Sequence, residues 1–566
     1  MTELLIRNAC VFDPLNGIRG DVMDIAIRDG RIVESVQNNA EVIDAQGFLT
    51  LPGGIDSHSH VCGTKVNFGR YMSPEDMRAG RTARRGKMHV TSGYYVPTTY
   101  GNSYRYSTMG YTTVLEGAMA PLEARHTHEE FNATPHQDML ANTLFDGNWS
   151  IMEAVHAHDV KRAAAIVAWT LSSVRGFAIK LTNPGGTEAW GWGGDLTSIR
   201  DPVPNFNVTP AEIISTMISA NELLHLPHSV HLHCNNLGKP GNYATTLETF
   251  GLVPDLNKNR QTLYATHVQF HAYGGSTWRD ICSKADEITK SVNAKPQIVM
   301  DMGQIMFGRT MTMTADGPME FNLYCLHHNK WSNHDVELET GSGIIPVLYS
   351  KKSLVNCVMW AIGLELALLT KNPYQCLLAT DNPNGAPFVK YPEIIGLLMS
   401  KRYRDEECST LNNGFEQRTS ISSLDREMDW NEIAIITRAG QAKALGLAAQ
   451  GKGHLAPGAE ADLAIYPIRC DDVDPAKEYR NVVEGFQKTR FTIKRGRVVA
   501  RDGDVIVEGA NATFWVNPTV PDEHNVANDP DFVKKFEEYY TVRMSNYPVQ
   551  DVYLPRGRCI KTEADI

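Results

Sequence analysis

From about residue 110 to residue 382 the chain keeps returning to one pattern, and that pattern restricts the fold more than any other feature. Apolar runs of β type, YTTVLEG, GFAIKLT, SVHLHCN, YATHVQF and QIVMDM, alternate with segments of helical periodicity such as KRAAAIVAWTLSSV and PAEIISTMISANELL. Strands that alternate with helices lie parallel in one sheet, and the middle of the chain, over 300 residues between its two ends, fits an eight-fold barrel. An open doubly wound sheet is the second arrangement such a pattern allows. No G-x-G-x-x-G follows the first strand to support a dinucleotide site there.

Both ends read differently. LLIRNACVF, DIAIRDGRIV with its Asp-Gly turn, and EVIDAQGFLTLPG are short strands, and GAEADLAIYPI and FTIKRGRVVARDGDVIV repeat that texture near the C-terminus. Two strand-rich ends flanking one long middle predict a small β-sandwich domain built from both. The expected organisation is 1–52 and 451–515 for that composite domain, 53–450 for the barrel, and 516–566 for an extension. Its tyrosine-rich stretch FEEYYTVRMSNYPVQDVYLPRG suggests a subunit contact. With 566 residues the chain exceeds what one core holds.

A formal charge of −11 and a pI near 6.0 argue against nucleic-acid binding. The N-terminus lacks the pattern of a signal peptide. The most apolar run, LVNCVMWAIGLELALLT at 354–370, is interrupted by Asn356 and Glu365 and reads as a buried helix, not a membrane span. Ten cysteines without a C-x-x-C pair suggest reduced thiols in a cytoplasm, and they make an iron–sulfur cluster held by this chain alone unexpected.

The chemistry is concentrated at strand ends. In GGIDSHSHVCGTK, His58 and His60 are two residues apart, so on a strand both face one point at the C-terminal mouth, where barrel active sites lie. A lone pair of this kind is as compatible with a surface strand end. Further candidates recur in order: Lys180 inside an apolar strand, His231 and His233 in SVHLHCNN, His267 and His271 in ATHVQFHAYGG, and Asp381 in ATDNPNG. Burying a lysine is costly unless it is paired, neutral or modified.

This order of ligands resembles the amidohydrolase superfamily, whose binuclear members bridge two zinc ions with a carboxylated lysine. The resemblance implies His58, His60, Lys180, His233, His267 and Asp381 as metal ligands, with His231 and His271 as the alternatives at the doubled positions. It implies two Zn2+ bridged by N6-carboxylated Lys180, and Asp381 and Lys180 as the catalytic pair. His126 and His128, in EARHTHEE, read as solvated or as outer neighbours of the site.

The flanking motifs GGIDSHSHVCGTKVNFGR, MGYTTVLEGAMAPLEARHTHEE, HLHCNNLGKPGNYATTLET and TDNPNGAPFVKYPEIIGLLMSKRYRDE resemble the A-type component family of formylmethanofuran dehydrogenases over nearly the whole chain. The corresponding components of bacterial formyltransferase/hydrolase complexes share much of the pattern. The resemblance implies formate and methanofuran as substrates, and partner subunits that carry a tungsten or molybdenum pterin and Fe–S clusters, neither of which this chain would hold.

Residues 63–107 form a long insertion after His60. It carries Lys65, Arg70, Arg78, Arg81, Arg84, Arg85, Lys87 and Arg105 against only Glu75 and Asp76. Arg84 and Arg85 are expected to grip a carboxylate-rich substrate tail; a face that docks a partner subunit explains the same charges. Asn235, Asn236 and Asn382 follow ligands directly and are expected to orient them or to contact substrate. Trp190 and Trp192, in a Gly-rich loop after Lys180, could cover an aromatic ring or pack the loop.

Overall fold

The Asp-Gly signal at 29–30 is a hairpin turn in which both residues have positive φ, 50° and 81°, as a twist-matched two-residue turn requires. This is a computed structural model that describes residues 3–82, 88–256, 260–335, 341–506, 509, 511–540 and 542–566. The hairpin joins strands Ile18–Arg28 and Arg31–Val33. It belongs to a nine-stranded sheet to which both chain ends contribute. The two arms meet where Phe48–Pro52 pairs antiparallel with Leu463–Arg469. Ile6, Ile27, Ile43, Leu463, Ile465 and Ile493 from the two arms bury one another in a core of their own.

The middle of the chain supplies eight parallel strands in sequence order: Gly54–Ser59, Tyr111–Met119, Asp138–Leu144, Ala178–Thr182, Val230–His233, Leu263–Ala265, Ile298–Asp301 and Cys376–Leu377. The ring closes through a parallel bridge between Ser59 and Asn382 and a 2.6 Å hydrogen bond from His60 N–H to Asn382 O. The fold is therefore an α/β barrel with a small β unit made from both chain ends.

Local rules set the surrounding helices. Val160–Val174 starts where the Asp159 carboxylate accepts from Arg162 N–H. Pro210–Leu223 begins with a capping box between Thr209 and Glu212 and a proline in its first turn. The apolar run at 354–370 is the buried helix Leu354–Leu369. Among the described residues no helix is long and apolar enough to cross a membrane.

Two features were not expected. Between the seventh and eighth strands, Gly308–Thr314, Ser332–Asp335 and Gly341–Tyr349 form a three-stranded antiparallel sheet over the mouth of the barrel. At the C-terminus, Thr513–Thr519 joins the third barrel strand at Met139 and pairs in parallel with Gly557–Glu563. The tail's Phe536 and Tyr547 each lie 5.6 Å, ring to ring, from Trp169 of the same chain. Much of the tail's aromatic content is thus buried on its own barrel.

A buried ion network joins the terminal sheet to the barrel floor. The Asp138 carboxylate, on the third strand, accepts from Lys494 Nζ at 2.6 Å, Arg495 at 2.8 Å and Lys452, while Asp462 accepts from Lys452 and Lys494 at 2.7 Å each.

Candidate metal centre

Each candidate ligand is delivered by the C-terminal end of a strand, and His58, His60, Lys180, His233, His267 and Asp381 all line one small cavity there. His58 lies one residue before the end of the first strand and His60 just beyond it, so both rings reach the same carboxylate. Their Nε2 atoms lie 3.0 and 3.1 Å from Asp381 Oδ1. Asp381 Oδ2 lies 3.9 Å from His267 Nε2. Asp381 itself has a left-handed backbone (φ 51°) and is held by Asn384, whose amide donates to Oδ2 at 2.7 Å and whose carbonyl oxygen accepts from Met313 N–H of the covering sheet.

The doubled histidines separate cleanly. His233 faces the cavity, whereas His231 lies behind it with Nε2 2.7 Å from His58 Nδ1. His267 faces the cavity, whereas His271 is stacked behind it with ring centroids 5.5 Å apart and is fully buried.

Three rings of the cavity are oriented by outer partners, of which sequence reading had named only His231, and that as an alternative ligand. Glu116, on the second strand, accepts from His60 Nδ1 at 2.9 Å through Oε1, while its Oε2 accepts from Val61 and Cys62 N–H at 2.8 and 3.0 Å. Asp316 lies 3.1 Å from His233 Nε2 and also caps the helix Gly317–His327. His231 serves His58. Such partners fix ring orientation and tautomer at metal sites. The only signal for Glu116 in the sequence is an acid inside an apolar strand, as for Lys180.

The electrostatics suit cations. Burial, reinforced by Lys180, pushes His58 down to about 3, and burial holds His233 and His267 below the ordinary histidine range, so these imidazoles are neutral. His60 alone is raised: burial and Lys65 oppose its charge, but Asp381 and Glu116 outweigh them. Burial would raise Asp381, yet His267 and His58 hold it well below the usual carboxylate range. Burial pushes Lys180 down to about 7. Among the described residues Lys180 has no carboxylate within ion-pair distance, and its one hydrogen bond is 3.5 Å to Thr266 Oγ1. A buried amine without a counter-ion, beside neutral imidazoles and an ionised carboxylate, is a donor set that fits divalent metals and a carboxylated lysine.

The remaining expectations are distributed as follows. Asn235 donates to Asn183 Oδ1 at 2.8 Å and Pro184 O, and Asn382 donates to Ser59 Oγ at 3.0 Å and accepts from Phe388 N–H. Neither lines the cavity, and the Asn382 amide is spent on closing the barrel. Asn236 holds Thr197 O and Thr245. His126 is exposed, as expected, but His128 is buried with Nε2 2.9 Å from Val174 O and has no part in the site. Trp190 packs on Phe321, and Trp192 is 63% exposed with its indole N–H on Glu188. In the insertion, Arg70 pairs with Glu130, Arg105 donates to the carbonyls of Tyr94, Gly80 and Gly93, and Lys65 points into the cavity. Arg78 and Arg81 are exposed; Arg84, Arg85 and Lys87 lie outside the described residues.

Residues 41–500 match the sequence profile of the amidohydrolase family. The chain belongs to the amidohydrolase family. Over 99% of both chains it is 50% identical to protein FwdA of Methanocaldococcus jannaschii. It is 33% identical to the A component of the formyltransferase/hydrolase complex Fhc of Methylorubrum extorquens, over 98% of this chain and 97% of that one. A chain in the crystal structure of that complex, FhcABCD with methylofuran, superposes with a TM-score of 0.89 at 29% identity and full coverage of both. This amidohydrolase is therefore similar along its whole length to a known enzyme component, including the terminal sheet and the tail.

Proposed function

We propose that this chain is the amidohydrolase subunit of a formylmethanofuran dehydrogenase, condensing formate with the amine of methanofuran and, in reverse, hydrolysing the formamide, in the CO2-fixing first step of methanogenesis. One observation carries the reading: six ligand-type side chains line a single cavity in a chain that resembles FwdA from end to end. His58, His60, His233, His267, Asp381 and Lys180 as its carbamate would hold the two zinc ions. When bound, the pair would polarise the formyl carbonyl and lower the pKa of water.

The chain's own residues supply the rest. The neutral fraction of the Lys180 amine attacks CO2; an N–C bond forms, a proton leaves, and the costly buried ammonium becomes an anion. Asp381, held by Asn384, takes the proton from the attacking water as the C–O bond forms. It returns that proton to the departing amine as the C–N bond breaks, leaving formate. The covering sheet contributes Thr312 and Thr314 to the cavity wall, and the segment that follows its first strand adds Ala315 and, from the helix Gly317–His327, Met319. Leu237, Phe270 and Met319 also border a groove of about 680 Å3, with Trp278, Tyr349 and Met359, that would take the apolar part of the amine. The insertion's arginines, Arg84 and Arg85 among them, would grip the carboxylate-rich tail. Reversing both to glutamate raises the KM for methanofuran; an unchanged KM sinks that assignment.

Reduction of CO2 to formate would fall to partner subunits with a tungsten or molybdenum pterin and Fe–S clusters. The full-length match to the Fhc component supports a second reading, the subunit of a formyltransferase/hydrolase complex that releases formate. Both share this chemistry and differ in direction and partner. The test is formate release from formylmethanofuran by the purified zinc-loaded chain. Release that vanishes in Lys180→Ala supports the assignment; no release despite two bound ions refutes catalysis by this chain alone on this substrate.

A further inference from the structure

Behind His58 runs a file of imidazoles. His58 Nδ1 lies 2.7 Å from His231 Nε2, His231 Nδ1 lies 2.9 Å from His228 Nε2, and His228 Nδ1 lies 2.6 Å from the backbone oxygen of Ala444. All three rings are at most 1% exposed. His228 lies before the fifth strand and Ala444 ends the helix Gly440–Ala444, so the file crosses the barrel interior from the metal cavity to the floor. Gln261 also donates to Ala444 O, at 2.6 Å, and both residues line a floor pocket of about 400 Å3.

The file ends beside an acceptor on both sides, Ala444 O and, 3.0 Å from His58 Nε2, Asp381 Oδ1; once a metal takes the cavity side, the Ala444 end sets the polarity of the whole file. A carbonyl oxygen can only accept, so His228 carries its hydrogen on Nδ1, and as a neutral ring it offers a lone pair at Nε2. His231 must then donate from Nδ1 and accept at Nε2. His58 must then donate from Nδ1, which frees its Nε2, the atom beside Asp381 Oδ1, to offer a lone pair to that metal. We propose that His228 and His231 are positioning residues that, anchored on the Ala444 carbonyl, hold His58 in the one tautomer able to bind a metal.

Packing alone does not account for these residues. Barrel interiors are filled mainly by branched apolar side chains, and three buried imidazoles are costly unless their nitrogens are paired. Here every nitrogen of the file apart from the cavity-facing one is paired within it. Ring planes are fixed as well: His231 stacks on Tyr264 at 4.5 Å and 10°, and Tyr264 OH lies 2.7 Å from Ser57 Oγ. The other outer partners, Glu116 and Asp316, are carboxylates and accept without ambiguity. His58 has an imidazole instead, which could equally donate, so its tautomer depends on an acceptor two residues further away.

This inference rests on the metal-centre reading, and the experiment separates the two. Zinc affinity of the full-length chain is measured by competition with a chromophoric chelator, for wild type, His228→Leu and His228→Gln, with metal-free thermal melts alongside. Leucine removes the acceptor for His231. Glutamine can accept from His231 Nδ1–H and donate to Ala444 O, which preserves the polarity. The expected result is a loss of about 10- to 100-fold in affinity for His228→Leu and near wild-type affinity for His228→Gln. Wild-type affinity in His228→Leu, or an equal loss in both folded variants, overturns the inference. If His228→Leu does not fold, His231→Gln, which still accepts from His58 Nδ1–H, should retain zinc, and its failure to do so is equally decisive against it. A wild-type chain that binds no zinc overturns the metal-centre reading itself.

Discussion

Glu116 does two jobs that one pair of substitutions can separate. Its Oε2 satisfies Val61 and Cys62 N–H, and its Oε1 fixes His60 Nδ1. Glu116→Ala orphans two buried donors at about 1–3 kcal/mol each. With about 2.1 cal/mol/K of unfolding entropy per residue across 566 residues, that loss lowers Tm by about 2–5 °C. It also frees the His60 ring. Glu116→Gln keeps an oxygen for the two backbone donors but turns an N–H toward His60 Nδ1. The ring then carries its hydrogen on Nε2, the atom that faces Asp381. The glutamine variant should therefore melt within about 1 °C of wild type while losing about 10- to 100-fold in zinc affinity, a cost of about 1.4–2.8 kcal/mol. The assay is calorimetry on metal-free protein beside chelator competition. A glutamine variant with wild-type zinc affinity, or one that melts as low as the alanine variant, would refute the reasoning.

Other consequences can be checked in the same way. Burial would raise the Asp138 carboxyl, but Lys452 and Lys494 hold it down to about 2, so its contribution is complete above its ordinary value of 3.8 and disappears as pH falls through 2. Asp138→Asn should cost about 3–5 kcal/mol at pH 7, and the gap from wild type should narrow by about 2 kcal/mol between pH 4 and pH 2; a gap independent of pH in acid unfolding curves would contradict this. A Cβ added at Gly117 would come within 3.0 Å of His58 Nε2 and 3.1 Å of His60 Cε1. Gly117→Ala should therefore weaken zinc binding about 10-fold while circular dichroism stays native, and unchanged binding would show that the two rings have more freedom than the structure gives them.

Sequence periodicity and ligand order were enough for the architecture, because both depend on local rules. Alternating strand and helix segments can bury their apolar faces only as a parallel sheet under helices, and a ligand at each strand's C-terminal end faces the mouth whatever the loops do. For that reason His58, His60, Lys180 and Asp381 could be named as candidates from the sequence, and the structure gathers them around one cavity. The choice between His231 and His233 was left to motif likeness, because only the register of the fifth strand decides which ring meets the cavity and which meets His58. Glu116, Asp316 and His228 were invisible, since they act on residues 56, 83 and 3 positions away through contacts made only once the barrel has closed. The covering sheet at 308–349 carried no motif at all. The sequence by itself determined which chemistry the strand ends could offer. Tertiary packing alone decided which nitrogens point inward, because a ring's tautomer and direction depend on the acceptor behind it.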